Sequence, residues 1–141
     1  MQTNIYVDTN IIIDICDSQR AMHTHSFEVI TGYMEQDNYE LYINSDTLAN
    51  LFYILANRST LDTQEVLDKM RFINEIFTLV SIESKDVEMA LALCADSKSK
   101  HRDYEDTMQY VCAKKIESSL ILTNDKKFVS ADIELQTTYK Q

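Results

Sequence analysis

The chain has no proline and a single glycine, Gly32, in 141 residues. Few positions can break the backbone, which predicts a fold rich in helix. Three cysteines, Cys16, Cys94 and Cys112, are odd in number and widely separated, with no CxxC pair. They exclude a disulfide framework and a zinc ribbon and read as core thiols. No window approaches the roughly 18 apolar residues of a membrane span, and the N-terminus lacks the basic region and cleavage site of a secretory signal. A cytoplasmic protein is expected. Positive charge is also scarce: 13 Lys plus Arg stand against 23 Asp plus Glu, a net charge of −10. That balance repels a polyanion unless a basic strip or bound cations intervene, although clustered carboxylates that hold a divalent cation would themselves make a sequence acidic.

What is present is ordinary for a globular chain: 45% hydrophobic and 26% charged residues, which excludes disorder. The length predicts a single domain spanning 1–141 with a core that needs no covalent staples.

Residues 5–7 and 41–43 are brief β-prone runs bounded by polar residues and predict buried strands, with a helix over 26–37 between them. After Ser45, Leu48, Leu51, Phe52 and Leu55 recur at helical spacing, and within 61–77 Leu67, Met70, Ile73 and Ile76 do the same, so two helices follow the second strand. Asp62 and Glu65 are spaced as a capping pair for the second of these. Residues 78–82 predict a strand. Ser84 is expected to cap a helix whose buried side holds Val87, Leu91 and Cys94. A polar loop over 96–102 then leads to a helix over 104–116, a buried strand over 119–123 and a last strand over 133–139. Strands alternating with helices predict a mostly parallel sheet covered on both faces, a three-layer α/β/α sandwich.

In "NIYVDTNIIIDIC", residues 4–16, an apolar run is broken by Asp8, Thr9 and Asn10 before isoleucines resume. In an open parallel sheet, ligands bind beyond the carboxyl ends of the strands. Asp8 belongs to that edge, and Thr123, Asn124 and Asp125 close a later strand in the same way. Asp103 and Asp106 lie three apart at a predicted helix start, on one face, where the helix dipole favours negative charge; Glu105 is expected to point elsewhere. Taken singly, each acid reads as a helix cap or as surface decoration. Taken together, Asp8, Asp106 and Asp125 bring three segments to one edge, where their charges repel and require a cation to coexist. Oxygen-only ligands indicate Mg²⁺ or Mn²⁺ rather than zinc. His23, His25 and His101 form no ligand pattern with cysteine, and His101 is a minor candidate for substrate contact.

"VDTNIIIDI", "DYEDTMQYVCAKK" and "LILTNDKKF" resemble, in order and spacing, the blocks of the PIN-domain ribonucleases, which include the toxins of VapBC-type toxin–antitoxin pairs. The resemblance runs from Met1 to about Tyr139. It implies a parallel five-stranded sheet between helices and a divalent-metal-dependent endoribonuclease. The first block would supply Asp8, with Thr9 and Asn10 ordering the turn. The second would supply Asp106 preceded by Asp103, and the third Asp125, with Thr123 and Asn124 as supports and Phe128 packed beneath. Asp8, Asp103, Asp106 and Asp125 are then the catalytic acids, and Asp8, Asp106 and Asp125 the ligands of Mg²⁺ (or Mn²⁺).

One departure stands out. The family's second acid is usually a Glu on the helix after strand two, where "SDTLANLFYIL" has Asn50, a carbonyl oxygen without charge. Asp46, one turn earlier on the same face, or Asp103 is expected to compensate. The alternative is a catalytically weakened PIN-like module that binds RNA or protein. A third reading, a phosphotransferase strand end of the haloacid-dehalogenase kind, wants a second acid two residues after the nucleophile, where Asn10 stands.

An RNA substrate calls for cations, and Lys98, Lys100, Arg102, Lys126 and Lys127 flank the acidic segments, either as a strip for the RNA backbone or as solvated loop charges. Tyr104 and Tyr110 would either stack on bases or pack as half-buried helix residues. The toxin reading implies a cognate antitoxin in a groove between the helices after strand two, placing an Arg or Lys among the carboxylates. Exposed apolar residues such as Phe52 or Phe72 would mark that groove. A homodimer is the family's habit.

Overall fold

A strand that runs Ile5, Tyr6, Val7 with all three side chains fully buried must be packed on both faces. Residues 2–139 are described by a computed structural model. Among them, five strands pair in the order β3-β2-β1-β4-β5, every pair parallel. These are β1 (Thr3–Val7), β2 (Tyr39–Asn44), β3 (Thr78–Val80), β4 (Leu120–Leu122) and β5 (Glu134–Gln136). The helices between them are α1 (Thr9–Cys16), α2 (His23–Met34), α3 (Ser45–Arg58), α4 (Thr63–Ile76), α5 (Ser84–Ala95) and α6 (Tyr104–Lys115).

Strand alternation divides the core. Ile5 and Val7 of β1, with Leu120 and Leu122 of β4, pack against α1 to α4. Tyr6 and Ile121 face the other way, onto α5, α6 and Phe128. The expected α/β/α layering is therefore present, with a five-stranded, wholly parallel sheet. Its topology creates a switch point: from β1 the chain moves outward to β2 and β3, then crosses back to β4 on the opposite side. The switch point falls between the carboxyl ends of β1 and β4, the place where such sheets bind ligands.

Helix α1 was not legible as a helix. Thr9, Ile11, Ile12, Ile13, Asp14, Ile15 and Cys16 are all buried, so the apolar positions show no 3.6-residue period. Asp62 and Glu65 form the expected capping box on α4. On α5 the cap is Glu83, one residue before Ser84, and Asp86 Oδ2 accepts from the Glu83 N–H at 2.9 Å. The buried face also departs from the sequence reading at one position: Ala90 is fully enclosed while Leu91 is 48% exposed, and Val87 and Leu93 pack against the core. The expected strand over 133–139 shortens to Glu134–Gln136. Asn124 exchanges bonds with Thr138, its Nδ2 donating to Oγ1 at 2.7 Å and its Oδ1 accepting from the N–H at 2.8 Å, so the chain beyond β5 is held by side chains.

Candidate active site

Asp8 occupies the N-cap position of α1, yet its side chain makes no capping bond. The carboxylate is 1% exposed and accepts two other donors: Gln109 Nε2 to Oδ1 at 2.9 Å and Thr123 Oγ1 to Oδ2 at 2.7 Å. Gln109 also accepts the orphan Thr9 N–H at 3.0 Å and lies 3.3 Å from Thr9 Oγ1, so it takes over the role a cap would have played. Burial raises the Asp8 pKa, while the bonds from Thr123 and Gln109 oppose that rise. A buried carboxylate whose two oxygens are fixed by neutral donors from α6 and from the end of β4 is what the interrupted apolar run encodes.

Two further acids converge on it. Asp106, in the first turn of α6, has its pKa pushed up to about 7 by partial burial, by the fields of Asp8, Asp103 and Asp125, and by a hydrogen bond with Asp125 that its protonated form makes. Asp125 follows β4 and is fixed by Thr123 Oγ1, which accepts its N–H at 3.1 Å. Asp103 is the N-cap of α6, Oδ1 accepting the Asp106 N–H at 2.9 Å. It therefore positions Asp106, with one of its oxygens already committed.

Beside these acids lies a cleft of about 240 Å³ between α3 and α6, lined by Thr9, Asp46, Asn50, Tyr104, Glu105 and Gln109 among others. Asn44 caps α3, accepting from the N–H groups of Asp46 and Thr47 at 2.9 and 3.1 Å, and so brings Asp46 and Asn50 to the same edge. Glu105 points away from the face of Asp103 and Asp106, as its sequence position suggested, but into this cleft. It faces α3, and Asn50 Nδ2 donates to its Oε1 at 3.1 Å. The Glu105 pKa is raised by partial burial of the carboxylate and by the charges of Asp103, Asp8 and Asp46. A larger groove of about 620 Å³ lies by α2 and the C-terminal segment and holds none of these acids.

The remaining expectations divide. Thr9 is buried in the Asp8 network; Asn10 is exposed. Asn124 serves the C-terminal segment through Thr138. His101 is buried, its Nδ1 3.4 Å from Thr107 Oγ1 and its ring against Tyr110, so it cannot meet a substrate. Tyr110 is buried and donates to Asp132 at 2.7 Å, which makes it a packing residue, while Tyr104 is exposed at the cleft. Phe128 packs beneath Ile121 as expected. Phe52 and Phe72 are exposed, at 38% and 44%. Gln109 escaped the sequence reading because it is uncharged, although it sits three residues after Asp106 on the same helix.

The donor set fits a hard divalent cation. Asp8, Asp106 and Asp125 offer only oxygen, and the raised Asp106 pKa reflects a mutual repulsion that a cation would relieve. Among the described residues, no three His, Cys, Asp or Glu side chains are already gathered at metal-ligand spacing, so the acids face one another without forming a closed cage.

Comparison with known proteins identifies the class. The chain belongs to the PIN-domain family, whose model matches residues 5–134. Within it, Ribonuclease VapC1 of Aquifex aeolicus is 36% identical over 134 residues, 95% of this chain and 90% of that one. Among solved structures, the Mycobacterium tuberculosis VapC20, a sarcin-ricin loop cleaving toxin, superposes with a TM-score of 0.74 at 12% identity, over 92% of this chain and 95% of that one. A chain of DNA-bound VapBC from Salmonella typhimurium gives 0.71 at 17% identity, over 99% and 100%. At those identities the structural likeness speaks to the fold.

Proposed function

We propose that the chain is a divalent-cation-dependent endoribonuclease and the toxin of a toxin–antitoxin pair. The observation that carries this is Asp8, a buried carboxylate at the switch point, uncommitted to capping and set beside acids from two distant segments. The ribonuclease name of the 36% identical relative supports the same reading. Mg²⁺ or Mn²⁺ held by Asp8, Asp106 and Asp125 would supply Lewis-acid neutralisation of the scissile phosphate.

The protein's own groups do the rest. Gln109 and Thr123 fix both oxygens of Asp8. Asp103 fixes the first turn of α6 and so the position of Asp106. Asp125, held by Thr123, accepts the proton of the attacking water. The water oxygen bonds to phosphorus as the P–O3′ bond breaks, leaving a 5′-phosphate and a 3′-hydroxyl. Exposed Lys98, Lys100, Arg102, Lys126 and Lys127 flank the edge and hold the RNA backbone, and Tyr104 offers a stacking surface.

An antitoxin docks on the α3–α4 face, where Phe52, Tyr53 and Phe72 are exposed. Cleavage of structured and unstructured RNA with Mg²⁺ or Mn²⁺ is the test, with Asp106→Asn as control. Cleavage only by the native protein is expected; equal cleavage by both would attribute the activity to a contaminant.

A further inference from the structure

The α3–α6 cleft contains an interaction that neither the capping network nor the three-acid group uses. Asn50, in the second turn of α3, donates from Nδ2 to Oε1 of Glu105, in the first turn of α6, across 55 residues of sequence at 3.1 Å. Cleft and acid group share a wall, because Gln109 and Thr9 line the cleft while Gln109 also holds Asp8. Successive helix residues are turned by about 100°, so Asp106 looks toward β1 and β4 while Glu105 looks toward α3. The two neighbours bracket the crevice.

We infer that Glu105 is a further cation-facing carboxylate of the site, presented from α6 and held in place by the Asn50 amide. This rests on the ribonuclease reading for its catalytic consequence but not for cation binding itself. The pairing gives Asn50 a reason. A neutral amide donates to a carboxylate, whereas an acid at position 50 would oppose Glu105 with like charge. Neither Asp46 nor Asp103 is then needed to make up for the neutral Asn50. Asp103 Oδ1 is committed to the α6 cap as Glu105 Oε1 is to Asn50, but Glu105 lines the cleft and Asp103 does not; Asp46 stands on the opposite lip.

The rival account is a brace between α3 and α6 in which the charge does nothing. Glu105→Gln separates the two, because glutamine keeps the accepting Oε1 and loses only the charge. Glu105 is exposed overall, so the variant should fold, and in chelator it should melt no lower than the native chain. Mn²⁺ binding is measured by calorimetry without RNA, and RNA cleavage separately. We expect Glu105→Gln to weaken Mn²⁺ about 10- to 100-fold. Adding Asn50→Glu, which exchanges donor and acceptor and moves the charge to α3, should recover most of that loss. Native Mn²⁺ affinity in Glu105→Gln, or no Mn²⁺ binding by the native protein, overturns the assignment. If the native chain binds Mn²⁺ and Glu105→Gln does not, yet neither cleaves RNA, the assignment stands and the ribonuclease reading falls.

Discussion

Replacing Asp106 with asparagine should abolish cleavage and yet stabilise the cation-free protein above neutral pH. Folding moves this carboxyl from its ordinary 3.8 up to about 7, through partial burial and the charges of Asp8, Asp103 and Asp125. Between those values the native state binds more protons than the unfolded chain, so the contribution of Asp106 to stability declines as pH rises through the window and is fully unfavourable above it. Taken at face value the interval is worth about 4 kcal/mol. The group is only half enclosed, and solvent screening reduces that to about 1–2 kcal/mol.

For a chain of this size, each kcal/mol moves the melting temperature by about 3 °C. Asp106→Asn should therefore melt at nearly the native temperature near pH 4.5 and about 3–6 °C higher at pH 8, in chelator. Groups remote from the site, such as Asp86 with its lowered pKa, titrate in both proteins and cancel in the difference. The repulsion between Asp106 and Asp8, Asp103 and Asp125 is already contained in the shift and is not counted again. Saturating Mg²⁺ or Mn²⁺ should stabilise the native chain more than the variant and close the gap. Thermal melts from pH 4.5 to 8 measure this, and a difference that stays constant across the range would refute the charge-cluster reasoning.

Gln109→Leu removes a donor from buried Asp8 and leaves the Thr9 N–H without its acceptor, so urea denaturation should show a loss of about 3 kcal/mol; a loss under about 1 kcal/mol would mean the network is not holding the edge together. Thr123→Val deletes the hydroxyl shared by Asp8 and Asp125 and should lower cleavage about 10- to 100-fold with the fold retained. Phe52→Ser with Phe72→Ser, both exposed, should leave melting and cleavage unchanged while weakening capture of the co-expressed antitoxin.

The layering was legible because its signals are local: short β-prone runs, apolar residues at helical spacing, and polar breaks at each strand end. The places of Asp8 and Asp125 were legible for a related reason, since the topology fixes where those strand ends must lie, and that of Asp106 because it opens a helix at the same edge. What escaped depends on contacts between helices. Glu105 is one residue from Asp106, and nothing in the spacing reveals that α3 approaches its side of α6. Gln109 is hidden within residues 107–113, an unbroken buried stretch of α6, where a neutral amide looks like filling. Helix α1 was concealed by completeness of burial, and Asp103, identifiable as an acid near the site, proved to be a cap because capping and catalysis draw on the same residue type.

The acidic composition argues against a nucleic-acid substrate, and the proposed ribonuclease reading meets that objection through the range of the charges. Salt screens charges beyond about 8 Å at physiological ionic strength and beyond about 20 Å in dilute buffer. Remote exposed acids such as Glu65, Asp68 and Glu75 on α4 then scarcely act at the site, whereas exposed Lys98, Lys100, Arg102, Lys126 and Lys127 stand beside Asp103 and Asp125 in the chain. At low salt the whole surplus of negative charge reaches the incoming RNA; at high salt the local lysines are screened in their turn. The value of kcat/KM at fixed Mg²⁺ should consequently pass through a maximum near physiological ionic strength. A steady fall of tenfold or more from 20 to 200 mM KCl, the behaviour of a site governed by phosphate contacts alone at about 0.7 in log–log slope per contact on single strands, would show that the remote acids exert no opposing field.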